Sequence, residues 1–108
     1  MSLISTHILD AATGRPAAAV AVSLMNANGA EIGAGRTDAD GRVGDLGPER
    51  LERGTYRLSF ATGDYFALTG RDTFYPVVLI DFAVTDSEQH YHVPLLLSPF
   101  AYSTYRGS

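Results

Sequence analysis

Tyr91-His92-Val93-Pro94-Leu95-Leu96-Leu97-Ser98 reads as two interleaved rows. Tyr91, Val93, Leu95 and Leu97 form one; His92, Pro94, Leu96 and Ser98, with His90 just before them, form the other. A period of two marks a strand, whose successive side chains point to opposite faces. If the first row lies against a core, both imidazoles point away from it. The same period recurs in both directions along the chain. Val20, Val22 and Leu24 alternate with Ala19, Ala21 and Ser23; Tyr56, Leu58 and Phe60 alternate with Arg57, Ser59 and Ala61. Val78, Ile80, Phe82 and Val84 alternate with a row that contains Asp81. Turn chemistry separates the runs at Thr13-Gly14-Arg15-Pro16, Asn26-Ala27-Asn28-Gly29, Asp38-Ala39-Asp40-Gly41 and Glu52-Arg53-Gly54. The pattern predicts an all-β antiparallel sandwich of seven to eight strands. One segment departs from it. Thr62 to Gly70 opens on a capping-type Thr, closes on Gly and reads as a short helix packed on a sheet.

A chain of 108 residues is enough for one core, so residues 1–108 read as a single domain. With 45% hydrophobic and 19% charged residues, the composition excludes disorder. A net charge of −4 argues against a nucleic-acid partner. All eight basic residues are Arg, which excludes Schiff-base chemistry and a phosphate-loop Lys. The absence of Cys excludes disulfides, thiol nucleophiles and thiolate metal sites. No apolar run is long enough to span a membrane, and the start of the chain lacks a signal-peptide pattern. A cytoplasmic protein is the expectation.

Three histidines are the residues with the most chemistry to offer. In Ser5-Thr6-His7-Ile8-Leu9-Asp10, the period places Ser5, His7 and Leu9 on one face. His90 and His92 share theirs with Pro94 and Leu96, a row too apolar to be left wet and therefore suited to a subunit interface. His7, His90 and His92 also make up the residue types of a three-His zinc site, but no further motif supports a metal, and none is expected. Asp38-Ala39-Asp40-Gly41 resembles the opening of a calcium loop, yet Arg42 and Val43 stand where an oxygen ligand and Gly are needed. Asp40-Gly41 is explained as a tight hairpin turn. Arg42, just beyond it, offers a planar fork suited to an imide or urea-like group. The last segment, Pro99 to Ser108, carries three aromatics and an Arg and reads as a short strand rather than a frayed tail.

Four segments in order resemble the 5-hydroxyisourate hydrolases, the transthyretin-like enzymes of urate breakdown. They are Ser5–Asp10, Asp40-Gly41-Arg42, His90–Phe100 and Tyr105-Arg106-Gly107-Ser108. The resemblance covers the chain from its third residue to its last. It implies a transthyretin (prealbumin-like) fold and a homotetramer built as a dimer of dimers, with active sites between the dimers. The implied reaction is hydrolytic opening of 5-hydroxyisourate to 2-oxo-4-hydroxy-4-carboxy-5-ureidoimidazoline, without a cofactor. Carried onto matching positions, the resemblance makes His7, Arg42, His92 and Ser108 catalytic, and Arg42, Tyr105, Arg106, Gly107 and Ser108 substrate-binding. Two positions depart from the family pattern. Val77 stands where Glu is usual, and Ala101 where Gly is usual.

The implied roles are water activation and proton transfer at His92 and His7, with either as the base, and support of substrate or oxyanion by Arg42. Ser108 would donate a hydrogen bond, with Tyr102 and Tyr105 anchoring the last strand by burial. Extension beyond Ser108 is expected to disturb the site. Since fold alone does not fix function, a non-enzymatic ligand-binding or interaction module of the same fold is the competing reading.

Overall fold

The computed structural model describes residues 3–107. In chain order the elements are β1 (Ile4–Asp10), β2 (Arg15–Pro16), β3 (Ala21–Met25), β4 (Glu31–Arg36), β5 (Arg42–Leu46), β6 (Gly54–Phe60), α1 (Thr62–Leu68), β7 (Val78–Val84), β8 (Tyr91–Ser98) and β9 (Ala101–Thr104). One sheet runs β2-β1-β8-β9, with β5 also on β1; the other runs β4-β3-β6-β7. The two-residue β2 and the longer β5 occupy successive parts of one edge of β1. Among the described residues nine strands, one of them the two-residue β2, make up the two sheets of the sandwich that the period-two runs predict.

The strands are not all antiparallel, which corrects the sequence expectation. β1 and β8 run parallel, from Ile4 opposite Tyr91 to Asp10 opposite Leu97. Period two reveals which face a side chain takes but not the direction of its neighbour. No hairpin ties these two strands, because the whole second sheet lies between them in sequence.

The core is the sum of the inward rows. Ile4 and Ile8 of β1, Leu95 and Leu97 of β8, Leu24 of β3, and Leu58 and Phe60 of β6 are all completely buried. Each such side chain contributes roughly 1.5–3 kcal/mol relative to exposure. Helix α1 adds Tyr65 and Phe66 from one end. Its start differs from expectation: Ala61 holds the N-cap position without a side-chain bond, and Thr62 lies inside the helix. The Thr62 hydroxyl instead donates to the Tyr75 carbonyl at 2.6 Å, tying the helix to the segment that follows it. The C-terminus matches the expected Gly stop. Gly70 N–H bonds to Ala67 O and Arg71 N–H to Phe66 O, the paired bonds of a Schellman ending.

A buried carboxylate joins this helix to β1. Asp10, with no side-chain exposure, accepts from the Tyr65 hydroxyl at 2.7 Å and from the Ala12 and Thr13 N–H groups, and pairs with Arg71. Burial pushes its carboxyl upward. Hydrogen bonds from Arg71, Tyr65 and Thr13, with the Arg71 charge, more than reverse that and hold it below the ordinary carboxylate value.

The Asp38–Gly41 turn forms as expected, with Gly41 at φ 78° and Asp38 Oδ1 accepting from Asp40 and Arg42 N–H. Its strands then part: β4 enters one sheet and β5 the other, so the turn crosses between layers instead of closing a hairpin within one. Among the described residues no helix is long and apolar enough to cross a membrane.

Candidate active site

The outward face of the β5-β1-β8 sheet collects the residues singled out above. Parallel pairing puts Ser5 of β1 opposite His92 of β8, and antiparallel pairing puts His7 opposite Arg42 of β5. A cleft of about 300 Å³ opens there, lined by Ser5, Thr6, Arg42, Val43, Gly44, His90 and His92. His7 flanks this cleft from the next outward position of β1. Which β1 residues face out follows from alternation: Ile4, Thr6, Ile8 and Asp10 are buried, so Ser5, His7 and Leu9 face out, half-buried.

A hydrogen bond assigns the ring nitrogens of His7. His7 Nε2 lies 2.9 Å from the Asp40 carbonyl. A carbonyl only accepts, so Nε2 carries the proton, and Nδ1 is the acceptor in the neutral ring. His92 Nδ1 lies 2.8 Å from Ser5 Oγ, which leaves Nε2 for a substrate or water. Burial lowers the His92 pKa below the ordinary value, and the neighbouring Arg42, His7 and His90 lower it further. His92 is therefore neutral near pH 7 and able to take a proton.

The chain after β9 returns to this histidine. Gly107 forms an isolated bridge with His92, its N–H donating to the His92 carbonyl at 2.9 Å. A Cβ at position 107 would lie 2.5 Å from His92 Cδ2 and 3.2 Å from Pro94 Cγ, so only glycine fits against the imidazole. Arg106 lays its guanidinium over the Tyr91 ring at 4.7 Å. The expected aromatic anchoring takes a different form within one chain. Tyr105 is 56% exposed and Tyr102 41%, although Tyr102 stands edge-on to Tyr75 with centroids 5.0 Å apart. Backbone pairing and the Arg106 stack hold the tail instead. Ser108, named as catalytic and substrate-binding from the sequence, lies outside the described residues.

Among the described residues, no three or more His, Asp or Glu side chains gather as a metal-holding group. The face thus brings together His7, Arg42, His92 and Gly107, whereas Arg106 stacks on the buried Tyr91 and lines a neighbouring cleft with Ile80 and Phe82 of β7. Ser5 is the residue that sequence reasoning underrated. Its outward position was legible, but its place opposite His92 depends on the parallel pairing, which left no local signal.

This geometry can be set beside known proteins. A sequence profile of the HIUase/Transthyretin family matches residues 4–107. The chain belongs to that family. Among its relatives, the 5-hydroxyisourate hydrolase of Caulobacter vibrioides is 50% identical over 115 residues, covering all of both chains. The solved 5-hydroxyisourate hydrolase of Klebsiella pneumoniae superposes with a TM-score of 0.91 at 42% identity, covering 99% of this chain and 100% of the other. Sea bream transthyretin, solved in complex with thyroxine, superposes with a TM-score of 0.90 at 35% identity, covering 97% and 94%. HIUase/transthyretin members thus include both an enzyme and a ligand-binding protein on one fold, and the prealbumin-like sandwich expected for this chain is the one observed.

Proposed function

We propose that this chain is a 5-hydroxyisourate hydrolase of urate catabolism, opening the six-membered ring of its substrate with water and no cofactor. The observation that carries the reading over a carrier is the outward face itself. A neutral imidazole, a second imidazole and a guanidinium converge on one cleft, and a ligand carrier has no chemical need of that set. Full-length identity to named hydrolases supports the same choice.

In this reading either His92 Nε2 or His7 Nδ1 accepts a proton from water. The water oxygen then bonds to the carbonyl carbon of the activated ring amide. The C–N bond breaks, and the proton returns to the leaving nitrogen. Arg42 holds the substrate's carbonyl or anionic edge and supports the developing oxyanion through its two-pronged fork. Arg106 and Gly107, with Tyr105, bind substrate from the tail side, and Ser108 keeps the catalytic and substrate-binding role that the family resemblance implies. Ring opening yields 2-oxo-4-hydroxy-4-carboxy-5-ureidoimidazoline.

The assembly we propose is a homotetramer, a dimer of dimers that closes the sites between dimers. The half-buried Leu96 beside Pro94, together with exposed Phe74, Leu79 and Phe100, supports it. The Cys-free sequence suits the cytoplasm. The direct test is ultraviolet spectroscopy of freshly made 5-hydroxyisourate. Addition of the protein should accelerate its decay far beyond the spontaneous rate, and an unchanged rate would leave only the carrier reading.

A further inference from the structure

Ser5 Oγ lies 2.8 Å from His92 Nδ1 and 2.8 Å from His90 Nε2. One hydroxyl thus bridges two imidazoles. A serine hydroxyl has a single proton and two acceptor lone pairs, so it donates to at most one ring. Three arrangements satisfy both contacts. In the first, Ser5 donates to His92 Nδ1, His92 carries its proton on Nε2, and it has no lone pair to offer the cleft. In the second, His92 Nδ1–H donates to Ser5, Ser5 donates to His90 Nε2, and His92 Nε2 is a free acceptor. In the third, Ser5 accepts from both rings and His92 Nε2 is again a free acceptor.

Whenever His92 Nδ1–H donates to Ser5, His92 takes a proton at Nε2 without rearrangement. The imidazolium that forms must donate from Nδ1, and Ser5 Oγ is already the acceptor there. A His90 ring with Nε2 unprotonated offers a place for the Ser5 proton. His90 is the more exposed ring, at the entry to β8, while His92 sits half-buried beside it. The charged or titratable groups facing His92 are His7 from β1, Arg42 from β5, His90 from the segment before β8, and Arg106 and Tyr105 from the tail. The one anion lining the same cleft as His92 and Arg106 is Asp81 of β7, and its carboxylate is held by Arg57 at 2.7 Å, whereas Ser5 Oγ already lies 2.8 Å from His92 Nδ1.

We infer that Ser5 is a positioning residue that, bridging His90 and His92, fixes His92 in the tautomer whose Nε2 accepts a proton. The inference rests on the proposed hydrolase site and adds to it a residue that acts through His92.

The test compares wild type with Ser5→Ala and Ser5→Thr by steady-state kinetics across pH and by ¹⁵N NMR of the His92 ring. Ser5→Ala should lower kcat by about tenfold or more with KM little changed, since part of a positioned acid–base contribution is lost. Its acid limb should also move relative to wild type. Ser5→Thr keeps the hydroxyl and should restore most of kcat and the original pH profile, a rescue that a merely structural role would not show. Neutral His92 should be protonated on Nδ1 in wild type and shift toward Nε2 in Ser5→Ala. A His92 protonated on Nε2 in wild type, or Ser5→Ala with unchanged kcat and pH profile, overturns the inference. His92→Ala distinguishes the two levels. If it retains full rate, the site reading itself fails; if it is inactive while Ser5→Ala is normal, only the role of Ser5 fails.

Discussion

At the residue scale the site separates chemistry from stability. His92, His7 and Arg42 lie on the outward face, so removing them opens no core cavity. His92→Ala and His7→Ala should each reduce turnover by ~10²–10⁴ with little change in Tm, measured by initial rates and thermal melts. His90→Ala should be milder, since that ring acts only through Ser5; equal damage would exchange the roles of the two histidines. Arg42→Lys should also lose most activity, because an ammonium cannot reproduce a planar fork. The pH dependence follows from the depressed His92 pKa. The ring stays neutral below the ordinary imidazole value and gains its proton only as pH falls through the lowered one. The acid limb of kcat/KM should therefore lie below about pH 6.5. Gly107→Ala tests the tail: its methyl must displace the His92 ring or Pro94. Rates should fall sharply while the sandwich still melts cooperatively.

At the scale of elements, two joints carry stability. Asp10 binds the end of β1 to α1 and Arg71 through a carboxylate held below its ordinary pKa. A depressed carboxyl contributes stability that is present above the unfolded-state pKa and lost as pH falls through the folded-state value. Wild type should therefore lose stability in acid below about pH 4 through this group, and Asp10→Asn should lack that component. Breaking the pair should cost about 3 kcal/mol at neutral pH, read from urea unfolding. The second joint is the loop before β3, where Ala19 has φ 62°. Its conformation is imposed by bonds to Thr37: Ala19 N–H to the Thr37 carbonyl, Val20 N–H to the Thr37 hydroxyl, and that hydroxyl to the Ala17 carbonyl. An alanine there is strained, so Ala19→Gly should raise stability by roughly 0.5–1 kcal/mol in the same urea experiment. The sequence made strands, turns and the outward His and Arg legible because alternation and turn chemistry are local. It hid the β1–β8 direction, the Asp10–Arg71 pair and the positive φ at Ala19. Each of these is set by partners distant in the chain, and the Thr62 cap failed because a carbonyl thirteen residues on claimed the hydroxyl.

At the scale of the whole molecule, the open edges stand out. β7 and β9 are the terminal strands of their sheets, β9 is exposed along its length, and Leu79, Phe74 and Phe100 are exposed nearby. Unpaired backbone beside large apolar side chains is a template for association. Light scattering of dilute protein should give roughly four chain masses, unchanged by a chelator. A fully active monomer would remove the subunit interface from the mechanism.

The parallel pairing of β1 with β8 has a consequence in time as well as space. Ser5 and His92 are 87 residues apart in sequence. The β3-β6-β7 side can build on nearer contacts, whereas β1 lacks its longest partner until β8 has been synthesised. Closing so large a loop costs entropy before its contacts reward it, which delays that step in folding. The bridge from Ser5 to His92 is thus among the last features to assemble, and catalytic competence emerges only after most of the sandwich is already in place.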